Sequence, residues 1–279
     1  MKTGLVLSGG GVRGIAHIGA LRALEEMDIY PTHIAGTSAG AIIGALYAAG
    51  KEWQEILDFM KTVELFSFKK YAINKPGFVD AEKFYDRFKE LLPQDSFESL
   101  KKPLYITATD MLNGNSKVFH KGELIRPMLA SAAFPGVFAP VKIGNGYYSD
   151  GGILNNFPAD LIKTKCDQLI GLYVNPFEKL RIEDLKHSYT IMERAYKIRM
   201  AKDSLDKFRD CDIVISPKDL TNYSAFSLKD MDTIFEVGYR ASKKALKNWG
   251  KSKEKDIIKA ELEAMNGFAL HAAKRNAPL

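Results

Sequence analysis

A serine set between two glycines, in Gly36-Thr37-Ser38-Ala39-Gly40, has the G-x-S-x-G form that presents an alcohol nucleophile for acyl transfer. By chance the pattern arises in roughly one chain in ten of this length and composition, so its surroundings must decide. An apolar run at 32–36 precedes it and a small-residue helical stretch at 39–49 follows. A strand-to-helix turn of that kind pushes the serine out of the sheet with its hydroxyl exposed. Gly36 and Gly40 let strand and helix pass closely with no Cβ in the way. The helix beginning at Ala39 turns its positive end to the serine and favours negative charge there. Taken alone, the five residues also fit a tight structural turn.

Gly9-Gly10-Gly11-Val12-Arg13-Gly14 follows the first apolar run and opens the first helical stretch. The spacing fits G-x-G-x-x-G, so a dinucleotide site has to be weighed. That reading needs an acidic residue at the end of the second strand, about 20 residues on. The second strand ends in the serine motif instead. A Walker loop fails too, because no Gly-Lys-Ser/Thr follows. A glycine run at a helix N-terminus still offers a nest of N–H groups for an oxyanion. Beside the serine turn it can serve as the oxyanion hole of acyl transfer, with Gly9, Gly10, Gly11, Arg13 and Gly14 as candidate residues. A purely structural turn stays open.

The serine needs a base. His17 falls within the first helix, His33 at the start of the second strand, and His187 and His271 within late amphipathic stretches. Neither these nor His120 lies in a loop signature that marks a catalytic partner. The usual order of serine, aspartate and then a late loop histidine is absent. The better partner is Asp150, in Tyr148-Ser149-Asp150-Gly151-Gly152. Gly151 and Gly152 free the backbone for an unusual conformation that aims the carboxylate inward. The alternative is an Asp-Gly turn with a solvated carboxylate.

The elements that must position these groups alternate as βα units, the pattern of a mostly parallel sheet. Strands are expected at 4–7, 32–36, 104–109, 169–174 and 212–215, and helices at 15–27, 39–49, 53–61 and 81–91. Residues 116–119 pair with the third strand across Asn113-Gly114, and 142–148 form a hairpin around Asn145-Gly146. The last third, from 183, is helical. Leu185, Tyr189, Met192, Tyr196 and Met200 make one apolar stripe, and Ile258, Leu262, Met265, Ala269 and Ala272 another. Such stripes usually bury against the domain.

Together, Gly9 to Gly14, Gly36 to Gly40 and Asp150-Gly151-Gly152 resemble the patatin-like phospholipase family, in that family's order. Ala130-Ser131-Ala132-Ala133-Phe134-Pro135, leading to Phe138 and Pro140, supports the resemblance. These motifs lie within residues 5–158, a little over half the chain. The resemblance implies an α/β, three-layer α/β/α patatin-like fold, and with no repeat or low-complexity linker the chain reads as a single domain over 1–279. It also implies a Ser–Asp dyad without histidine: Ser38 matches the nucleophile, Asp150 the base, Gly9 to Gly11 the oxyanion loop and Arg13 its basic position. The expected activity is hydrolysis of lipid esters. An acyltransferase or thioesterase on the same site, or a non-enzymatic module binding acyl lipids, are the alternatives.

Composition sets the outer bounds. The 279 residues are 46% hydrophobic and 27% charged, ordinary for a folded globular protein. The formal charge of +6 comes from scattered lysines and arginines with no aromatic interleaving, which argues against nucleic acid as a partner. Leu65-Phe66-Ser67-Phe68-Lys69-Lys70-Tyr71, followed by Asn74-Lys75-Pro76-Gly77-Phe78, is aromatic and basic. It reads as a core-packed loop, or as a lid that brings the protein peripherally to a membrane. Cys166 and Cys211 have neither disulfide-framework nor metal-ligand spacing and read as buried thiols at strand entries. No metal, calcium or other cofactor is expected. Without a signal-peptide core or a long apolar span, a cytoplasmic location is the default expectation.

Overall fold

The computed structural model describes residues 1–63, 81–177, 180–185, 188–225 and 228–249. The aromatic-basic stretch at 65–78, the stripe from Ile258 to Ala272, His187 and His271 lie outside the described residues.

Eight strands form one mixed sheet: β1 (Thr3–Leu7), β2 (His33–Thr37), β3 (Leu104–Asp110), β4 (Ser116–Phe119), β5 (Val141–Ile143), β6 (Gly146–Asp150), β7 (Gln168–Leu172) and β8 (Ile213–Ile215). Their order is β5-β6-β3-β2-β1-β7-β8, with β4 pairing β3 off this path. The strands β3, β2, β1, β7 and β8 run parallel, while β4, β5 and β6 are antiparallel additions at one side. Apolar residues run without a break along the central strands because both faces are covered, and successive side chains enter opposite cores. Leu5, Leu7 and Ile34 enter one core; Val6 and Ala35 enter the other. The hairpin turn falls at Gly144-Asn145, one residue earlier than expected, because Gly144 takes the left-handed conformation with φ 58°.

The larger core is built by α1 (Ile15–Glu25), α2 (Ala39–Ala48), α3 (Trp53–Thr62), α4 (Tyr85–Leu91), α5 (Ile125–Ser131) and α7 (Met231–Asn248). The smaller core, on the opposite face, takes Phe157, Ile162, Phe208 and Leu205 of α6 (Ser188–Asp206). The result is a three-layer α/β/α arrangement. The helix expected at 81–91 is a 3-10 turn at Ala81–Phe84 followed by α4.

α5 was not expected from the sequence, whereas α7 falls within the last third read as helical. α7 lies against α1 at backbone distance: a Cβ on Gly238 would stand 2.1 Å from the Ala16 carbonyl oxygen, and one on Gly19 would stand 2.1 Å from that of Phe235. Its buried face carries Met231, Ile234, Phe235, Val237 and Leu246 around Gly238 and Ser242. None of the described helices is long and apolar enough to cross a membrane.

Candidate active site

Sheet order explains why the predicted residues meet. β2 and β6 pair with the same edge of β3, β2 up to Thr107 and β6 from Ala108 onward, with β4 on the other edge, so the ends of β2 and β6 meet there. Ser38 directly follows β2, and Asp150 is the last residue of β6, paired with Ala108 of β3. The glycine loop follows β1, the strand on the other side of β2. Between β1 and β7 the strand order reverses, and open α/β sheets form clefts at the carboxyl ends of such strands.

Ser38 has φ 54° and ψ −123°, a backbone conformation that costs a non-glycine residue about 1–3 kcal/mol. Several contacts hold it. Its N–H donates to the buried Ser131 hydroxyl at 2.8 Å, and its carbonyl accepts from Ala41 and Ile42. Neighbouring glycines give the elbow its room: a Cβ on Gly36 would lie 2.5 Å from the Gly40 carbonyl oxygen, and one on Gly40 would lie 2.3 Å from that of Leu7. Contrary to the expected exposure, Ser38 is 5% exposed and forms part of the lining of a cleft.

The Ser38 hydroxyl donates to Asp150 Oδ2 at 2.8 Å. The other carboxylate oxygen, Oδ1, accepts from the Gly152 N–H at 2.7 Å. Asp150 is buried, and burial raises its pKa to about 6 against the pull of these two hydrogen bonds. Gly151 and Gly152 act through space rather than conformation, since neither has a positive φ. A Cβ on Gly151 would stand 2.3 Å from the Thr107 carbonyl oxygen, and one on Gly152 would stand 2.9 Å from Asp150 Oδ1. Thr109 fixes the same corner by donating its hydroxyl to the Asp150 carbonyl at 2.9 Å.

The glycine loop divides into parts. The Gly9 N–H is spent on the Asn156 carbonyl at 3.2 Å, so Gly9 is not a free donor as expected. What it supplies is closeness: a Cβ there would lie 3.0 Å from that of Ser38. The Gly9 carbonyl accepts from Asn175 Nδ2, which turns the Gly10 N–H to the opposite side of that peptide. Gly10 and Gly11 line the cleft, and Gly11 has φ 58°, the left-handed conformation glycine favours. Arg13 is directed elsewhere: buried, it donates Nε to the Tyr223 carbonyl at 2.7 Å and ties the loop to the segment before α7. Gly14 admits α2, for a Cβ there would lie 2.5 Å from that of Ala39.

Among the described histidines none hydrogen-bonds to Ser38 or Asp150. His17 is buried, with burial lowering its pKa to about 4, so it is neutral. It donates Nε2–H to the Ser8 carbonyl at 2.8 Å and anchors the residue that precedes the glycine loop. Sequence reasoning missed Ser131, Asn156 and Tyr196 as parts of the site. Asn156 Nδ2 and the Tyr196 hydroxyl are buried without a hydrogen-bond partner among the described residues, and both residues line the cleft. Ser131 lay within the Ala130 to Pro135 motif, but nothing in that motif says which atom it serves. The cleft offers about 540 Å³, part of it open to solvent; Ala132, Phe134, Met200 and Ala225 are its apolar lining, and Asn175 and Lys197 add polar groups. No group of three or more His, Cys, Asp or Glu side chains arranged for a metal occurs among the described residues.

Comparison with known proteins places this geometry. Residues 5–162 match the family model described as patatin-like phospholipase. An uncharacterized NTE family protein of Mycobacterium bovis is 33% identical over 195 residues, covering 68% of this chain and 53% of that protein. The chain thus spans about half the length of that relative. Human patatin-like phospholipase domain-containing protein 6 is 26% identical over 307 aligned residues, covering 97% of this chain but 22% of that protein. Among solved structures, VipD from Legionella pneumophila superposes with a TM-score of 0.52 at 16% identity, over 89% of this chain and 67% of that one, a likeness of fold. The chain belongs to the patatin-like phospholipase family.

Proposed function

We propose that this chain is a serine acyl hydrolase acting on lipid esters, of phospholipase A, lysophospholipase or carboxylesterase type, with Ser38 and Asp150 as its dyad. The observation that supports it most directly is the 2.8 Å hydrogen bond from the Ser38 hydroxyl to Asp150 Oδ2, with no histidine between them. An ordinary aspartate, with a pKa of about 3.9, is a weak base for an alcohol. Burial lifts Asp150 to about 6, which strengthens it as a base while leaving it ionised at neutral pH.

In this mechanism Ser38 Oγ attacks the ester carbonyl carbon as its proton passes to Asp150 Oδ2. The developing oxyanion takes the N–H groups of Gly10 and Gly11, with Ala39 at the start of α2 adding a third donor. Collapse breaks the bond to the alcohol, and Asp150 returns the proton to it. Water then gives a proton to Asp150, attacks the acyl carbon and releases the acid, and Ser38 regains its proton. The apolar walls of Ala132, Phe134 and Met200 suit an acyl chain.

Fatty-acid release from phospholipid vesicles and from a soluble 4-nitrophenyl ester tests the reading. Ser38→Ala should lower both by about a thousandfold or more. A purified Ser38→Ala protein that keeps most of the activity overturns it. Transfer of the acyl group to an added alcohol in preference to water would recast the same dyad as an acyltransferase.

A further inference from the structure

We propose that Tyr196 is a further catalytic group, its hydroxyl donating a hydrogen bond to the alkoxy oxygen of the bound ester as that oxygen leaves. The inference rests on the acyl-hydrolase reading above and deepens it at the same site.

Tyr196 stands on α6, on the turn that also carries Met200, and both residues line the cleft with Ser38 and Asp150. Its ring meets the edge of Phe134 at 5.2 Å between centroids and 80° between planes, which fixes where the hydroxyl sits. That hydroxyl is shut off from solvent and has no hydrogen-bond partner among the described residues. Buried polar groups left unpaired in a native fold call for an explanation, and in a cleft the simplest is a missing ligand atom. Burial, together with the negative charge of Asp150, holds the phenol far from ionisation, so at working pH it offers a proton to share.

The chemistry leaves one oxygen for it. Gly10 and Gly11 lie against Val174, Asn175 and Ala225 on one wall and serve the carbonyl oxygen. Tyr196 lies with Phe134, and Met200 with Gly152, on the Asp150 side. When the tetrahedral intermediate collapses, the carbon–alkoxy bond breaks and the proton that Asp150 took from Ser38 passes to the departing oxygen. That oxygen must therefore be near Asp150, and negative charge grows on it before the proton arrives. A phenol hydrogen bond there lowers the barrier without itself losing a proton. In the second half-reaction the attacking water occupies the same place.

The effect must depend on the leaving group, and Tyr196→Phe tests it while keeping the ring against Phe134. Rates are compared for an alkyl ester and a 4-nitrophenyl ester of the same fatty acid. The alkoxide is a poor leaving group that needs the hydrogen bond, whereas nitrophenolate leaves unaided. The expected result is a loss in kcat/KM of about 10- to 100-fold on the alkyl ester and less than about threefold on the nitrophenyl ester. Labelling of Ser38 by a fluorophosphonate, whose fluoride also leaves unaided, should proceed at the wild-type rate and verifies the fold. Equal losses on both esters, or none on either, overturn the role of Tyr196 and leave the dyad standing. Wild-type protein without Ser38-dependent turnover of either ester overturns the hydrolase reading itself.

Discussion

Ser38 and Asp150 stand 112 residues apart in the chain and 2.8 Å apart in the fold, joined through β3, to which both of their strands pair. Among the described residues the carboxylate has no cationic partner and accepts two hydrogen bonds, from Gly152 and from the nucleophile itself. Its raised pKa is therefore the direct result of burial, and it links the site to pH in two separate ways.

Activity should follow the ionised form of Asp150. With a pKa near 6, kcat/KM rises about tenfold per pH unit below 6 and flattens above roughly 7. A pH–rate profile on a soluble ester checks this. A plateau extending down to pH 4 would mean the carboxylate is not desolvated as described.

Stability carries the opposite sign. A carboxyl whose pKa is raised by folding, from 3.8 to about 6, binds its proton more tightly in the folded state. Its stabilising contribution is present below the unfolded pKa and is lost as pH rises through 6. Asp150→Asn keeps an oxygen to accept from Gly152 and gains an amide to donate to Ser38, with no charge to bury. The variant should be more stable than wild type at pH 8, by up to about 3 kcal/mol, and the gap should close towards pH 4. Melting temperatures of the pair across that range test it. A gap that widens on acidification would contradict the burial of Asp150.

Ser131→Ala should damage the elbow from behind. It leaves the Ser38 N–H buried without an acceptor, which costs about 1–3 kcal/mol. The elbow's positive φ loses a restraint, so kcat should fall on soluble esters while KM changes little. Denaturant unfolding and steady-state kinetics measure the two effects.

Gly238→Ala probes the contact between α1 and α7 far from the chemistry. The added Cβ would stand 2.1 Å from the Ala16 backbone oxygen, so the helices must part. The loss should be at least about 2 kcal/mol, visible as a lowered midpoint in urea. An unchanged midpoint would mean that α7 does not dock there.

The site was more legible in the sequence than the frame around it. Gly36 to Gly40 and Asp150 to Gly152 show themselves because backbone crowding admits only glycine where a Cβ would strike a carbonyl 2.3–2.5 Å away, as at Gly36, Gly40 and Gly151. The central strands were legible for a simpler reason: covered on both faces, they read as continuous apolar runs. Tyr196 and Met200 were read as an ordinary buried stripe, since periodicity reports which face turns inward but not that a cleft lies beneath it. The division of labour within the glycine loop was hidden as well. Only the Asn156 carbonyl at Gly9 and the Tyr223 carbonyl at Arg13 reveal which groups are already engaged.

Intact-mass spectrometry after incubation with a fluorophosphonate tests the central claim, that Asp150 alone activates Ser38. Wild type should gain a single adduct, Ser38→Ala none, and Asp150→Asn the same adduct at least about a hundredfold more slowly. Labelling of Asp150→Asn at the wild-type rate, or an adduct that persists in Ser38→Ala, would contradict the dyad.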